Sequence, residues 1–347
     1  MSLSIRRHAE PLASWEELAR ARGTFYHHPR WVRLLTECYG FRLTCLSAER
    51  GGELVGFIAL AEVPRLLGPR RLVSLPFSYA AGPVAGEMAA LPALGLAALE
   101  VARERNIGRL EIKQRAPAPP AAPGFVRVEH YASYVLPTDG GEDQVWQRLD
   151  ASSTRRSIRK AEKEGVQVRR GSDEADWLEM ARLEEETAHR HGVPAPPRKF
   201  FLEACRTLQR EGLADLYLAR LKDDRLAAGI VIWKGPREWI YAFGASRPET
   251  LAARPNHLLL WTAVRDAMTA SVSFDFGRAA PEQTGLVEFK RRWGGQPVPL
   301  AYDYWPAPGG LNVADRSRGL LAVAARIWSH LPTPVSRAGS FLYRYLG

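Results

Sequence analysis

Residues 43–63, LTCLSAERGGELVGFIALAEV, form two largely apolar runs separated by Gly51-Gly52. That pattern predicts two strands joined by a tight turn. It recurs at residues 216–234, LYLARLKDDRLAAGIVIWK, with the turn at Asp223-Asp224. Both second strands carry a glycine, Gly56 or Gly229, followed by an apolar run. Two copies of one unit half a chain apart favour duplication over two unrelated domains.

Around the first hairpin the pattern predicts a loop at 74–86, a helix at 91–105 and strands at 109–113 and 126–136. The Pro/Ala run APAPPAAP, residues 116–123, reads as a stiff surface loop. In the second half a basic helix at 153–164 stops at Gly165, a good C′ residue. Helices are expected at 174–189 and 197–211, and a strand at 239–244. A further helix opens with Asn256 as N-cap and shows an apolar face of Leu260, Val264, Ala267 and Met268. A strand at 272–276 is ended by Gly277-Arg278, and a last strand covers 298–304. The boundaries this sets are 1–137, 138–305 with the expected transfer site, and a helical tail at 306–347.

A chain of 347 residues suits two domains. The longest apolar stretch, 85–102, is interrupted by Glu87, Pro92 and Glu100, which argues against a membrane span. The start of the chain lacks the apolar core of a signal peptide, so a cytoplasmic location is expected. Cys38, Cys45 and Cys205 form neither a disulfide framework nor a metal-binding spacing. The formal charge of +10 favours anionic partners: tRNA, nucleotide-linked substrates or anionic lipid.

Three segments carry candidate chemistry. In SSTRRSIRKAEKEGV, residues 152–166, Arg155, Arg156, Arg159, Lys160 and Lys163 fall within an arc of about 140° at about 100° per residue. Ile158 and Ala161 lie opposite, so the helix docks by a thin apolar stripe and presents a basic face. In SFDFGRAAPEQTGLVEFKRRWGG, residues 273–295, Phe289-Lys290 precedes Trp293-Gly294-Gly295. Between them, EEETAHRHGVPAPPRKFF at 184–201 sets Arg198 before an aromatic pair, and IYAFGAS at 240–246 contains Tyr241.

Together these segments resemble the Fem-type aminoacyltransferases (FemAB-like), which are built from two N-acetyltransferase-like (GNAT) domains. The resemblance covers most of the chain, from about Phe25 to Trp305. It implies an α+β fold of two tandem GNAT-like domains, each a mixed sheet flanked by helices. It also implies transfer of an acyl or aminoacyl group onto an amine of a nucleotide- or lipid-linked envelope or polysaccharide precursor. By resemblance, Lys290 stabilises the oxyanion at the transfer site beside Phe289, and Arg198 contacts an acceptor phosphate. Tyr241 orients the acceptor, and Arg155, Arg159 and Lys163 steer an anionic donor. Where the family carries a lysine shortly after the tryptophan of a first helix, Trp31 here is followed by Val32, and only Arg33 is placed to substitute.

No tightly bound cofactor is expected, and aminoacyl-tRNA is the implied co-substrate. An acyl-CoA-dependent GNAT enzyme is the alternative. Such enzymes hold the pyrophosphate on a glycine-rich loop opening a helix, and residues 247–260, RPETLAARPNHLLL, have no such glycines. A non-enzymatic anion- or membrane-surface protein is the third reading. Its support is the tail at 315–347, where Trp328, Phe341, Tyr343 and Tyr345 accompany Arg318, Arg326, Arg337 and Arg344.

Overall fold

The computed structural model describes residues 2–66, 68–306, 328–330, 337 and 339–347. The tail expected at 306–347 therefore lies mostly outside the described residues. The chain packs as two units, one centred on Met1–Tyr131 and taking up the chain again at Pro299, the other on Ala132–Val298.

In the first unit the predicted hairpin is β2 (Arg42–Arg50) and β3 (Glu53–Val63), joined at Gly51 and Gly52, both with positive φ. β1 (Leu3–His8) pairs antiparallel with β2, and β4 (Arg71–Val73) with β3. A short β5 (Val84–Ala85) also pairs with β3. β6 (Arg109–Arg115) runs parallel to β4 and antiparallel to residues 300–305 of the strand Gln296–Trp305. Among the described residues this unit has the helices α1 (Trp15–Arg22), α2 (Pro29–Tyr39) and α3 (Ala90–Glu104). α3 lays Leu94, Ala98, Val101 and Ala102 on Leu46, Ile58, Leu60 and Ile112 of the sheet.

At the centre of α3 stands Gly95. A Cβ there would overlap the Ala121 carbonyl oxygen and lie 2.5 Å from its carbon. The Pro/Ala run, read from the sequence as a stiff surface loop, exposes Pro117, Pro119, Pro120 and Pro123 but is anchored near its end. Ala121 and Ala122 are buried, and the Ala121 amide donates to Asp303 Oδ2 at 2.9 Å. Gly95→Ala gains about 1 kcal/mol of helix propensity but must push back an anchored backbone. A net loss of about 1–3 kcal/mol is expected in urea unfolding.

The second unit contains residues 132–136 of β7 (Val126–Leu136), β8 (Gln167–Gly171), β9 (Ala214–Arg220), β10 (Leu226–Lys234), β11 (Glu238–Ser246) and β12 (Ser273–Ala279). Its sheet order is β7-β12-β11-β10-β9-β8, with β11 and β12 parallel and the other pairs antiparallel. Its helices are α4 (Gly141–Arg148), α5 (Arg156–Lys163), α6 (Glu174–Arg190), α7 (Arg198–Glu203), α8 (Pro255–Thr269) and α9 (Thr284–Arg292). α8 and α5 bury Leu259, Leu260, Ala263, Val264 and Ile158 against Tyr217, Ile230 and Ile232. α6 and α7 also pack on the sheet, where Phe200, Phe201, Trp233 and Phe243 form an aromatic group. Helices flank a mixed sheet, as the resemblance implied.

Asn256 is not the N-cap of α8 as expected. Arg254, with φ +59, holds that place, and Pro255 takes the first helical position, for which its fixed φ is already set. The Asn256 side chain donates instead to Ser246 Oγ at 3.3 Å.

Candidate functional site

The break in the ladder between β11 and β12 defines the site. These strands pair at Glu238↔Ser273, Trp239↔Phe274 and Ile240↔Asp275, and then part, although both continue. Each strand bulges at this level. On β11, Tyr241 faces Ile232 and Phe243 faces Val231, so Ala242 is the extra residue. On β12, Asp275 faces Val135 and Arg278 faces Ser133, so Phe276 and Gly277 share one opposite residue. Bulges bend a strand and increase its twist. Two side by side drive the strands apart, leaving β11 beyond Ile240 without a ladder partner on its β12 side. Gly277-Arg278 thus does not end the strand, as the sequence suggested. Gly277 adopts φ +78, which glycine accepts without strain, and its amide donates to Asp275 Oδ1 at 2.7 Å.

Lys290, on α9, reaches this bulge. Its Nζ donates to the carbonyls of Gly277 at 2.8 Å and Arg278 at 2.9 Å, and it lies 5.7 Å from the Tyr134 ring centroid. Burial pulls its pKa from 10.5 down to about 8, against the opposing pull of Asp275. An ammonium has three donors, so two carbonyls leave one for a ligand. Phe289, the preceding residue, is half-buried. Its ring lies 6.2 Å from that of His257, which stacks on Trp293 at 5.9 Å. Burial and the charge of Arg254 lower His257 to about 4, so the imidazole is neutral at physiological pH.

Tyr241 is the first β11 residue past the last rung. A Cβ at Gly244 would overlap its hydroxyl oxygen and lie 2.6 Å from Cζ, so the ring rests along its own strand over a glycine. Burial and the negative charge of Glu184 raise its phenol pKa. Lys290 and Tyr241, both assigned by resemblance, therefore border this break, Lys290 on the Gly277 carbonyl and Tyr241 just past the last rung, while Phe289 packs against His257 beside Lys290. Glu184 and His257 were not expected there. Glu184 had a signal: on α6 it continues the buried sequence Trp177, Met180, Ala181 and Ala188 at helical spacing, where an apolar side chain is the norm.

The other predicted residues lie elsewhere. Arg198 opens α7 with its fork closed on Glu185, Nε at 2.7 Å and Nη2 at 2.8 Å; Arg337 Nε adds 3.2 Å to the same carboxylate. A phosphate there must displace Glu185. Arg33 belongs to the first unit, 4.0 Å from Glu10 and 3.5 Å from the Pro11 carbonyl. On the basic helix Ile158 and Ala161 are buried, and Arg156, Arg159, Lys160 and Lys163 are exposed. Arg159 lies over the Trp146 ring at 5.5 Å, while Arg155 is half-buried with Nη1 3.3 Å from Gln147. Cys45 and Cys205 are buried thiols, and burial pushes Cys45 up to about 12, which excludes it as a nucleophile. Among the described residues no cluster of three metal-ligating side chains occurs, and no helix is long and apolar enough to cross a membrane.

The first unit contains a similar break, where β4 and β6 part after Val73↔Glu111. Its own chain fills it. The Ser74 amide donates to the Glu111 carbonyl at 2.8 Å, and buried Lys113 Nζ donates to the carbonyls of Leu75 at 3.2 Å and Ser78 at 2.9 Å. Both units thus set a buried lysine on two backbone carbonyls beside the point where a parallel pair parts.

A mixed sheet whose central parallel strands splay, with helices on its faces, is the architecture of the GNAT acyltransferases. Residues 151–291 match the acetyltransferase (GNAT) domain family, and that domain makes this protein an acyltransferase of the GNAT type. The resemblance read from the sequence is thereby borne out. Among solved structures, FemX superposes with a TM-score of 0.67 at 17% identity, over 86% of this chain and 96% of its own. L-PGS from Bacillus licheniformis gives 0.59 at 13% identity over 93% and 98%. A tandem GNAT protein from the clavulanic acid biosynthesis pathway gives 0.51 at 13% over 87% and 98%. At these identities the likeness is one of fold. No curated protein sequence matches the chain.

Proposed function

We propose that this protein transfers an acyl or aminoacyl group from an activated ester or thioester to an amine, at the break between β11 and β12. The acceptor is an anionic, nucleotide- or lipid-linked molecule. The observation that carries this reading is the buried Lys290 ammonium on the bulge carbonyls where the strands part. Ligands of open sheets settle at the carboxyl ends of parallel strands. Attack of an amine on the acyl carbonyl creates an oxyanion, and a fixed positive charge in a dry site lowers that barrier.

Aminoacyl-tRNA remains the first donor. In the first turn of α8, Pro255 has no amide to offer a pyrophosphate and the His257 amide is taken by the Arg254 carbonyl at 3.1 Å. The exposed basic face of α5 suits a phosphate backbone. Acyl-CoA is the second reading, favoured by the match to an acetyltransferase domain. On this reading the protein works on envelope precursors in the cytoplasm or at the inner face of the membrane.

Titration with charged tRNA, uncharged tRNA and acetyl-CoA at physiological salt separates the two. On the first reading charged tRNA binds most tightly. Reversing Arg155, Arg159 and Lys163 to glutamate then weakens it at least about tenfold and lowers the salt slope by about one per lost phosphate contact. Saturable acetyl-CoA binding, without preference for charged tRNA and indifferent to the reversals, selects the second.

A further inference from the structure

We infer that Glu184 is the proton acceptor of the transfer, its carboxylate taking the proton that the acceptor amine loses as it attacks the acyl carbonyl. The inference rests on the reading above, that an amine is acylated at the break between β11 and β12.

Glu184, Glu185 and Glu186 are consecutive on α6, and their surroundings differ. Glu185 closes on Arg198 and Arg337, and Glu186 lies 3.6 Å from Arg247. Glu184 points along the buried stripe of the helix, and its Oε2 is buried with no hydrogen-bond partner. Buried polar atoms are satisfied in the great majority of cases, so an orphaned carboxylate oxygen needs a reason.

Its location supplies one. α6 packs on β11, and the Glu184 charge acts on the hydroxyl of Tyr241, the residue with which β11 leaves its neighbour. The Tyr241 carbonyl oxygen would lie 3.6 Å from a Cβ at Gly277, whose own carbonyl holds Lys290. Glu184 on α6 and Lys290 on α9 thus act on two residues that border the break, Tyr241 and Gly277. The charged group acting on Glu184 from its own helix is Arg190; the titratable group facing it from β11 is Tyr241. Burial raises Glu184 to about 7, while Lys290 falls to about 8. A base near the working pH combines a useful ionised fraction with a strong pull on the proton.

The step balances without a further reagent. The amine lone pair forms the C–N bond, and one N–H proton passes to the Glu184 carboxylate. The C–O bond of an ester donor, or the C–S bond of a thioester donor, breaks as the tetrahedral intermediate collapses. The leaving alkoxide or thiolate takes the proton from Glu184 and restores the carboxylate.

The test combines titration with kinetics. Side-chain carboxyl NMR of glutamate-labelled protein, compared with Glu184→Gln, should show one carboxyl titrating near pH 7 that the variant lacks. A Glu184 titrating near 4.5 overturns the inference whether or not a donor has been found. With acetyl-CoA or charged tRNA as donor, Glu184→Gln should bind the donor as wild type does. Its transfer should fall about 10²–10⁴-fold, and the acidic limb of the pH–rate profile should vanish. Unchanged transfer with the limb retained overturns the role and leaves the acyltransfer reading standing. If wild-type protein consumes neither donor, that reading fails and the role falls with it.

Discussion

Lys290→Met is expected to slow transfer by about two to three orders of magnitude while the second unit stays folded. Two opposed effects set its stability. Methionine fills most of the lysine volume but leaves the Gly277 and Arg278 carbonyls without their donor, about 1–3 kcal/mol for each buried group left unsatisfied. Against this, the substitution removes a buried charge that the fold holds at a cost, as the fall from 10.5 to about 8 records. The two are of similar size, so unfolding should change by no more than about 2 kcal/mol. The same shift gives a separate signature. Between pH 8 and 10.5 the unfolded chain keeps this proton and the folded chain sheds it, so stability from this group rises with pH across that window and is flat below it. Urea unfolding of the methionine variant should lack that rise. Wild-type turnover in a folded Lys290→Met would reduce Lys290 to a clamp on the bulge.

The hairpins were legible because their signals are local. Apolar runs stop at Gly51-Gly52 and Asp223-Asp224, and Gly52 and Asp224 hold positive φ in the structure. Gly277 was legible only in part. The sequence marks an interruption, but whether glycine ends a strand or bulges it depends on the register with β7, some 140 residues away in the chain. The role of the Pro/Ala run was hidden for the same reason, since its anchor Asp303 follows 182 residues after Ala121. Among the site residues, Lys290, Phe289 and Tyr241 were reached through a family likeness. Glu184 was overlooked because three glutamates in a row look alike until helical phase is applied. Arg198 illustrates the converse. Its residue type suits a phosphate, yet Glu185 on the preceding helix already fills its fork.

Asp303→Ala should destabilise the first unit by about 3–5 kcal/mol, because it removes the carboxylate shared by the half-buried Arg127 fork, the buried Gln114 side chain and the Ala121 amide. Asp303 is fully buried on the strand that pairs with β6. Its Oδ1 accepts from Arg127 Nε at 2.8 Å, and its Oδ2 from Arg127 Nη2 at 2.8 Å, Gln114 Nε2 at 2.8 Å and the Ala121 amide at 2.9 Å. Four donors from three parts of the chain converge on one carboxylate, and Arg127 Nη2 also reaches the Pro119 carbonyl at 2.8 Å. Asp303→Asn keeps the shape but turns one acceptor into a donor that faces donors, so it should recover little. The exposed pair Arg20–Glu16 is the control; Glu16→Ala should cost under about 1 kcal/mol. Thermal or urea unfolding measures all three. The comparison also bears on Glu184. Both are buried carboxylates, but one has every oxygen engaged and the other keeps one open. A loss on Asp303→Ala no greater than that of the surface control would show that partner count does not separate structural carboxylates from reactive ones in this fold, and the argument for Glu184 would then rest on its titration and kinetics alone.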